Sequence, residues 1–191
     1  TTSTDESGAE TTTTTTTSWT GNVGNTGNIT FSGKSIGGKC RAGGIIGYST
    51  APLLESARYI NVGSVTFSGD PGQKVDNSGN PVIGVADVGG IVARLSGTSV
   101  ANSEVYCDLY TEGADYYGMV TGSERSASVT VKNSKIGGRI FGAYSQMDQS
   151  YEKKPITASN FFDYIFGGTT DWSGVKNYDG CSFLETKPTD F

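Results

Sequence analysis

Apolar positions in this chain recur in one short figure. Gly43-Gly44-Ile45-Ile46-Gly47 returns as Gly89-Gly90-Ile91-Val92-Ala93 and as Tyr117-Gly118-Met119-Val120-Thr121. Looser copies are Gly138-Arg139-Ile140-Phe141-Gly142 and Asp163-Tyr164-Ile165-Phe166-Gly167. Each reads small or aromatic, usually Gly, aliphatic, aliphatic or Phe, then small. The starts lie 46, 28, 21 and 25 residues apart. With one skipped copy in the first interval, a step of about 24 residues covers the run, and a fixed step of that size marks a stacked repeat. Ile45, Ile91, Met119, Ile140 and Ile165 are then expected to form one core column.

A second figure interleaves with the first. Asn25-Thr26-Gly27-Asn28-Ile29-Thr30-Phe31-Ser32-Gly33 returns as Asn61-Val62-Gly63-Ser64-Val65-Thr66-Phe67-Ser68-Gly69. Shorter forms are Asn102-Ser103-Glu104-Val105 and Asn133-Ser134-Lys135-Ile136, with Asn177 to Cys181 as a worn copy. Asn adopts left-handed backbone and bonds its own main chain at turns. Runs such as Val129-Thr130-Val131-Lys132 alternate with the period of a strand, apolar in and polar out. Each unit therefore reads as strand, Asn/Gly corner, strand, Gly corner, strand. One unit has no apolar partner of its own, so a second stacked about 4.8 Å above it closes a continuous core.

The reading is an all-β, right-handed parallel β-helix (β-solenoid) of about five coils with capped ends. Residues 25–169 form the coils in this reading. Residues 1–24, with their run of seven Thr (Thr11 to Thr17), supply a strand or cap, and residues 170–191 the other cap. Two insertions break the pattern. Residues 70–81 read as a hairpin-like excursion with turn residues at both ends. Gln146 to Pro155 reads as a polar, charged loop.

Composition supports the strands. Gly, at 28 residues, is about twice average usage. Net charge is −5 and His is absent. No dense basic surface is present for a nucleic-acid partner, and the commonest general base and transition-metal ligand is missing. Cys40, Cys107 and Cys181 lie far apart without C-x-x-C spacing, so they read as small packing residues, with one disulfide plus a free thiol as the alternative. No apolar run is long enough to span a membrane, and no cofactor is implied. The absence of an initiator Met suggests a processed or truncated product. Asn28-Ile29-Thr30 is a glycosylation sequon, relevant only to a eukaryotic secretory route.

The two interleaved motifs resemble the GLUG-type repeats of bacterial surface proteins, in which a Val-Gly-Gly-Ile/Leu-Val-Gly segment alternates with an Asn-Ser/Cys segment. Val88-Gly89-Gly90-Ile91-Val92 followed by Val100-Ala101-Asn102-Ser103 carries the match, supported by Gly43 to Gly47 and Asn133-Ser134, over residues 25–145. The C-terminal copy departs from it, with Phe161-Phe162-Asp163-Tyr164 where Gly is expected. The resemblance implies β-helix coils on a secreted or cell-surface protein of gut-type bacteria, an adhesion role and no defined catalytic set.

Candidate chemistry lies where the repeat breaks. Tyr106, Tyr110, Tyr116 and Tyr117 crowd an acidic stretch, and Tyr151 lies in the second insertion. Tyr144, Trp172 and Tyr178 add to the aromatic C-terminal third. Aromatic faces beside carboxylates suit sugar rings or a protein partner. A carbohydrate-active enzyme on the same scaffold, a polysaccharide hydrolase or lyase, is the alternative. Hydrolysis needs two carboxylates about 5–10 Å apart across the scissile bond, for which Asp108, Glu112, Asp115 and the pair Asp148–Glu152 are the candidates. A lyase needs a Lys or Arg base beside acids that hold calcium; Lys132, Lys135 and Arg139 lie on adjacent positions, with no acid ladder tied to them in the sequence. Ice binding would need a flat Thr-x-Thr array on successive coils, which the coils do not supply outside the N-terminal run.

Overall fold

The computed structural model describes residues 2–4, 10–12, 21–35, 38–53, 55–96, 99–124, 128–167 and 175–190. Trp19, Trp172 and the Thr run from residue 13 to 17 lie outside them. The described residues are all strand and turn apart from one short 3-10 turn at Phe161–Tyr164. Two strands, β1 (Thr2–Thr4) and β2 (Glu10–Thr12), pair with each other antiparallel.

From residue 21 the chain returns repeatedly to the same parallel ladders. The first pass holds β3 (Gly21–Asn25), β4 (Ile29–Phe31), β5 (Lys39–Gly43) and β6 (Ile46–Ser49). The second holds β7 (Ala57–Asn61), β8 (Ser64–Phe67), a hairpin of β9 (Gln73–Val75) and β10 (Pro81–Ile83), then β11 (Val85–Gly89), β12 (Val92–Leu95) and β13 (Ser99–Ala101). The third holds β14 (Ser103–Tyr110), β15 (Tyr116–Gly118), β16 (Thr121–Glu124) and β17 (Ser128–Lys132). The fourth holds β18 (Lys135–Ser145), β19 (Ser150–Pro155) and β20 (Val175–Asp179), and β21 (Ser182–Phe183) follows.

Pairing is parallel within each ladder. β5, β11 and β15 form one, with Gly43, Gly89 and Gly118 in register. β6, β12 and β16 form the second, with Ile46, Val92 and Thr121 in register. β13, β17 and β20 form the third. The largest stacks β3, β7, β14 and β18, and β4 and β8 extend it alongside the second half of β14. The hairpin expected at 70–81 is present as β9–β10, turned by Asp76, whose Oδ1 accepts from the backbone of Ser78 and Asn80.

The step differs from the expected value of about 24. Lys39 pairs with Val85, Ser103 with Tyr59 and Lys135 with Glu104, which are steps of 46, 44 and 31 residues. The short step fails because Gly138–Gly142 belongs to β18, in the largest ladder, and not to the Gly-Gly bend. The register of the third copy also moves by one: Gly118-Met119-Val120-Thr121-Gly122 stacks on Gly89 to Ala93. The bend column is Ile45, Ile91, Val120 and Ile165, linked by backbone bonds of 3.0–3.1 Å. Ile140 stacks instead on Leu109 and Val65.

Period-two alternation positions the largest ladder. In β14, Ser103, Val105, Cys107 and Leu109 are buried, while Glu104, Tyr106, Asp108 and Tyr110 lie outward and half-exposed. Two kinds of asparagine corner then appear. Asn102 and Asn133 take φ of 51° and 48°, and Gly180 occupies the equivalent place on the next pass at 63°. Only short polar side chains or Gly visit that region cheaply. Asn25 and Asn61 sit elsewhere, at the ends of β3 and β7, and their Oδ1 atoms accept from the backbone two residues on. The sequence motif merges two corners that the fold keeps apart.

Cys40, Cys107 and Cys181 are free thiols, the first two buried. Burial, with a smaller contribution from Asp108, pushes the Cys107 thiol from its ordinary 9.0 up to about 12. Burial likewise raises Tyr178 from 10.0 to about 12. A fold that prefers the neutral form keeps its full stability below the unfolded-state pKa and loses it as pH rises toward the folded value. Urea midpoints should hold to about pH 9 and fall steadily between pH 9 and 12, with Cys107→Ala removing part of the slope. A midpoint that stays level across that window would contradict this account.

Candidate binding face

The outward side of the largest ladder is a grid of side chains. Along β14 it runs Glu104, Tyr106, Asp108, Tyr110. In register on β18 are Lys135, Gly137, Arg139 and Phe141, and on β8 Ser64 and Thr66 lie beside Asp108 and Tyr110. Parallel pairing fixes these neighbours, because a strand slipped by one residue would send every one of them to the core side.

Charge pairs order the grid. Arg139 donates from Nε to Asp108 Oδ1 at 2.7 Å and from its terminal nitrogen to Oδ2 at 2.6 Å. This forked pair is the stronger, charge-assisted kind, and its hydrogen bond holds Arg139 above its ordinary pKa. Glu104 sits between Arg58 and Lys135, the latter at 3.4 Å. Both carboxylates are thereby engaged by cations.

The aromatic part adjoins them. Tyr110 and Phe141 stack with centroids 4.5 Å apart at 9°, and Tyr151 meets Tyr110 edge-on at 5.5 Å and 77°. Arg139 lies 5.5 Å over the Phe141 ring. A cleft of about 260 Å³ opens beside them, lined among others by Asn28, Tyr106, Asp108, Arg139 and Lys187. Rings of this kind bury area against a flat apolar ligand face, and the flanking Arg, Asp and Asn offer hydrogen bonds at its rim.

Of the five tyrosines expected at a ligand site, Tyr106, Tyr110 and Tyr151 share this face. Tyr116 and Tyr117 are on β15, in a different ladder: Tyr116 is in register with Asp87, and Tyr117 pairs with Val88 and packs against the core. Tyr151 is not on a loop. It belongs to β19, which pairs antiparallel with β18, so only 146–149 is turn. Phe141 and Arg139 were not placed among the ligand-binding residues because they sit inside a copy of the core figure, and the pairing of Arg139 with Asp108 is visible only in the fold. The alternation Ile136, Arg139, Ile140, Phe141 carries the missing signal, since 139 and 141 take the opposite side from 136 and 140.

Three of the other candidate acids, Asp115, Asp148 and Glu152, have structural partners. Asp115 Oδ2 accepts from the Ala86 backbone N–H at 2.7 Å, Asp148 accepts from Ser145 and Glu152 pairs with Lys154. Among the described residues no group of three or more His, Cys, Asp or Glu side chains is arranged to hold a metal ion, and no helix is long and apolar enough to cross a membrane. No family model, curated protein or solved structure matches the chain.

Proposed function

We propose that this protein is a non-enzymatic secreted or bacterial cell-surface module that binds glycan through the outward face of its largest ladder. The observation that carries the reading is the Tyr110–Phe141–Tyr151 cluster beside the forked Asp108–Arg139 pair. Three rings and a fixed polar rim on an open sheet suit a sugar ring, which has an apolar face and equatorial hydroxyls. Asp108 is held by Arg139 and serves recognition in this reading.

The scaffold proposed is a right-handed parallel β-helix of GLUG-like repeats with the ladders as its faces. The constant order in which the chain returns to its ladders supports it, as does the near-universal right hand of parallel crossovers. The Gly-Gly-Ile and Asn-Ser segments that carry the resemblance stack on one another, the first at the bend and the second at the left-handed corner.

A glycan array probed with the full chain tests the function. Specific binding is expected, with an affinity loss of at least about tenfold, near 1.4 kcal/mol, in Tyr110→Leu with Tyr151→Ala. Binding that survives both substitutions, or an array with no bound glycan, would sink the glycan reading. In the second case a protein partner takes its place.

A further inference from the structure

The Gly-Gly bends place side chains opposite one another at a spacing of seven residues. Arg41, Asp87 and Tyr116 stack in register on β5, β11 and β15. Tyr48, Arg94 and Ser123 stack in register on β6, β12 and β16. Across the bend the Arg41 guanidinium lies 4.1 Å over the Tyr48 ring. Arg94 donates to Asp87 Oδ2 at 3.3 Å, and Arg41 Nε is 3.8 Å from the same oxygen.

The charges in this groove do not balance. One carboxylate, 1% exposed, faces two guanidinium groups. Asp87 Oδ1, Arg41 Nε and Arg94 Nε are buried and make no hydrogen bond. Arg41 makes none at all among the described residues, yet it keeps 23% of its side-chain surface open. The Tyr48 ring lies beneath it, and the buried carboxylate lies beside its Nε. The groove thus carries a surplus of one positive charge in a protein of net charge −5. A guanidinium seated over a ring with idle N–H groups is a forked receptor for a planar anion.

We propose that this bend groove binds the carboxylate of an acidic sugar. Arg41 supplies the fork, and Arg94 the second positive charge. Asp87 is a positioning residue that holds both arginines, and Tyr48 and Tyr116 flank the sugar ring. A surplus of one charge matches a monoanion, whereas a dianion would reverse the sign of the buried cluster. The groove lies on different ladders from Tyr110 and stands independently of the glycan face there.

The test is calorimetric titration of the full chain with short oligosaccharides of galacturonic acid or ending in N-acetylneuraminic acid, each beside its methyl ester. The esters keep the sugar and remove the charge. Saturable binding of at least one free acid is expected. It should weaken at least tenfold for the matching ester and for Arg41→Met, weaken less for Arg41→Lys, and stay unchanged in Tyr110→Leu. The thermal midpoint of Arg41→Met should stay near that of the parent, because Arg94 still pairs with the buried Asp87 carboxylate. Absence of saturable binding by every free acid, equal binding of acid and ester, or an unchanged affinity in Arg41→Met would overturn the proposal. Displacement by inorganic sulfate at equal concentration would overturn the carboxylate assignment.

Discussion

Gly90→Ala is expected to remove about 3 kcal/mol or more of folding stability, enough to leave a marginal domain largely unfolded. A methyl group at this bend would stand 2.1 Å from the Met119 carbonyl oxygen on the next pass and 2.9 Å from Val105 Cγ1. Backbone oxygen has nowhere to retreat without breaking the ladder. The aligned Gly44 is equally tight, at 2.1 Å from the Gly90 carbonyl oxygen and 2.2 Å from Asn61 Nδ2. Gly47, three residues further, is the control: its methyl would meet only the Arg41 carbonyl oxygen at 3.5 Å. The chain itself places Ala93 at the equivalent position one pass later. Gly47→Ala should therefore stay within about 0.5 kcal/mol of the parent. Urea denaturation of the two variants decides the matter, and a Gly90→Ala midpoint as high as that of Gly47→Ala would refute the stacking of the bends.

The second large effect is expected at Asn61. Its side chain is fully buried and satisfied on three sides. Oδ1 accepts from the Gly63 N–H at 3.0 Å and from Asn25 Nδ2 at 3.1 Å, while Nδ2 donates to the Gly90 carbonyl at 2.6 Å. Asn61 therefore ties the largest ladder to the Gly-Gly bend. Alanine would leave the Gly90 carbonyl without this partner and the Gly63 N–H with only its 3.2 Å bond to the Asn25 carbonyl, so a loss of about 2–4 kcal/mol is expected. Asn25 holds the same place one pass earlier but is only half-buried. Water takes over there, and Asn25→Ala should cost about 1 kcal/mol. Equal losses at the two sites in a denaturant titration would show that burial is not what makes Asn61 matter.

These two residues also mark what the sequence discloses. Local patterns were legible: the alternation in β14, the Gly-Gly-Ile figure and the hairpin turned by Asp76 all appear where their residue types require them. Which copy stacks on which was not. Gly138 to Gly142 matches the bend figure by type, but lies inside strand β18, because register depends on the length of chain between ladders and insertions change that length from pass to pass. Asn102 and Asn61 match in the same way, though one sets a left-handed corner and the other a buried tie. The site was legible in part. Tyr106, Tyr110 and Tyr151 meet on one face, since even spacing along β14 and pairing with β18 carry them there. Tyr116 and Tyr117 follow a turn onto another ladder, which local composition does not reveal. Arg139 and Phe141 were hidden by a resemblance to core positions.

Strand β19 has a consequence for how copies of this protein meet. A stack of parallel strands ends in open N–H and C=O groups that invite an identical stack to continue it, and so to grow a fibre. Here β19 turns back on β18 and pairs antiparallel over Arg139 to Ser145. A second copy arriving at that side meets a strand of reversed direction, bearing Glu152, Lys153 and Lys154 and ending in Pro155. Lysine and proline at a sheet margin discourage further pairing. The molecule thus has a built-in stop against end-to-end polymerisation on this side, and removing β19 should promote fibre growth there, which electron microscopy of the truncated chain checks.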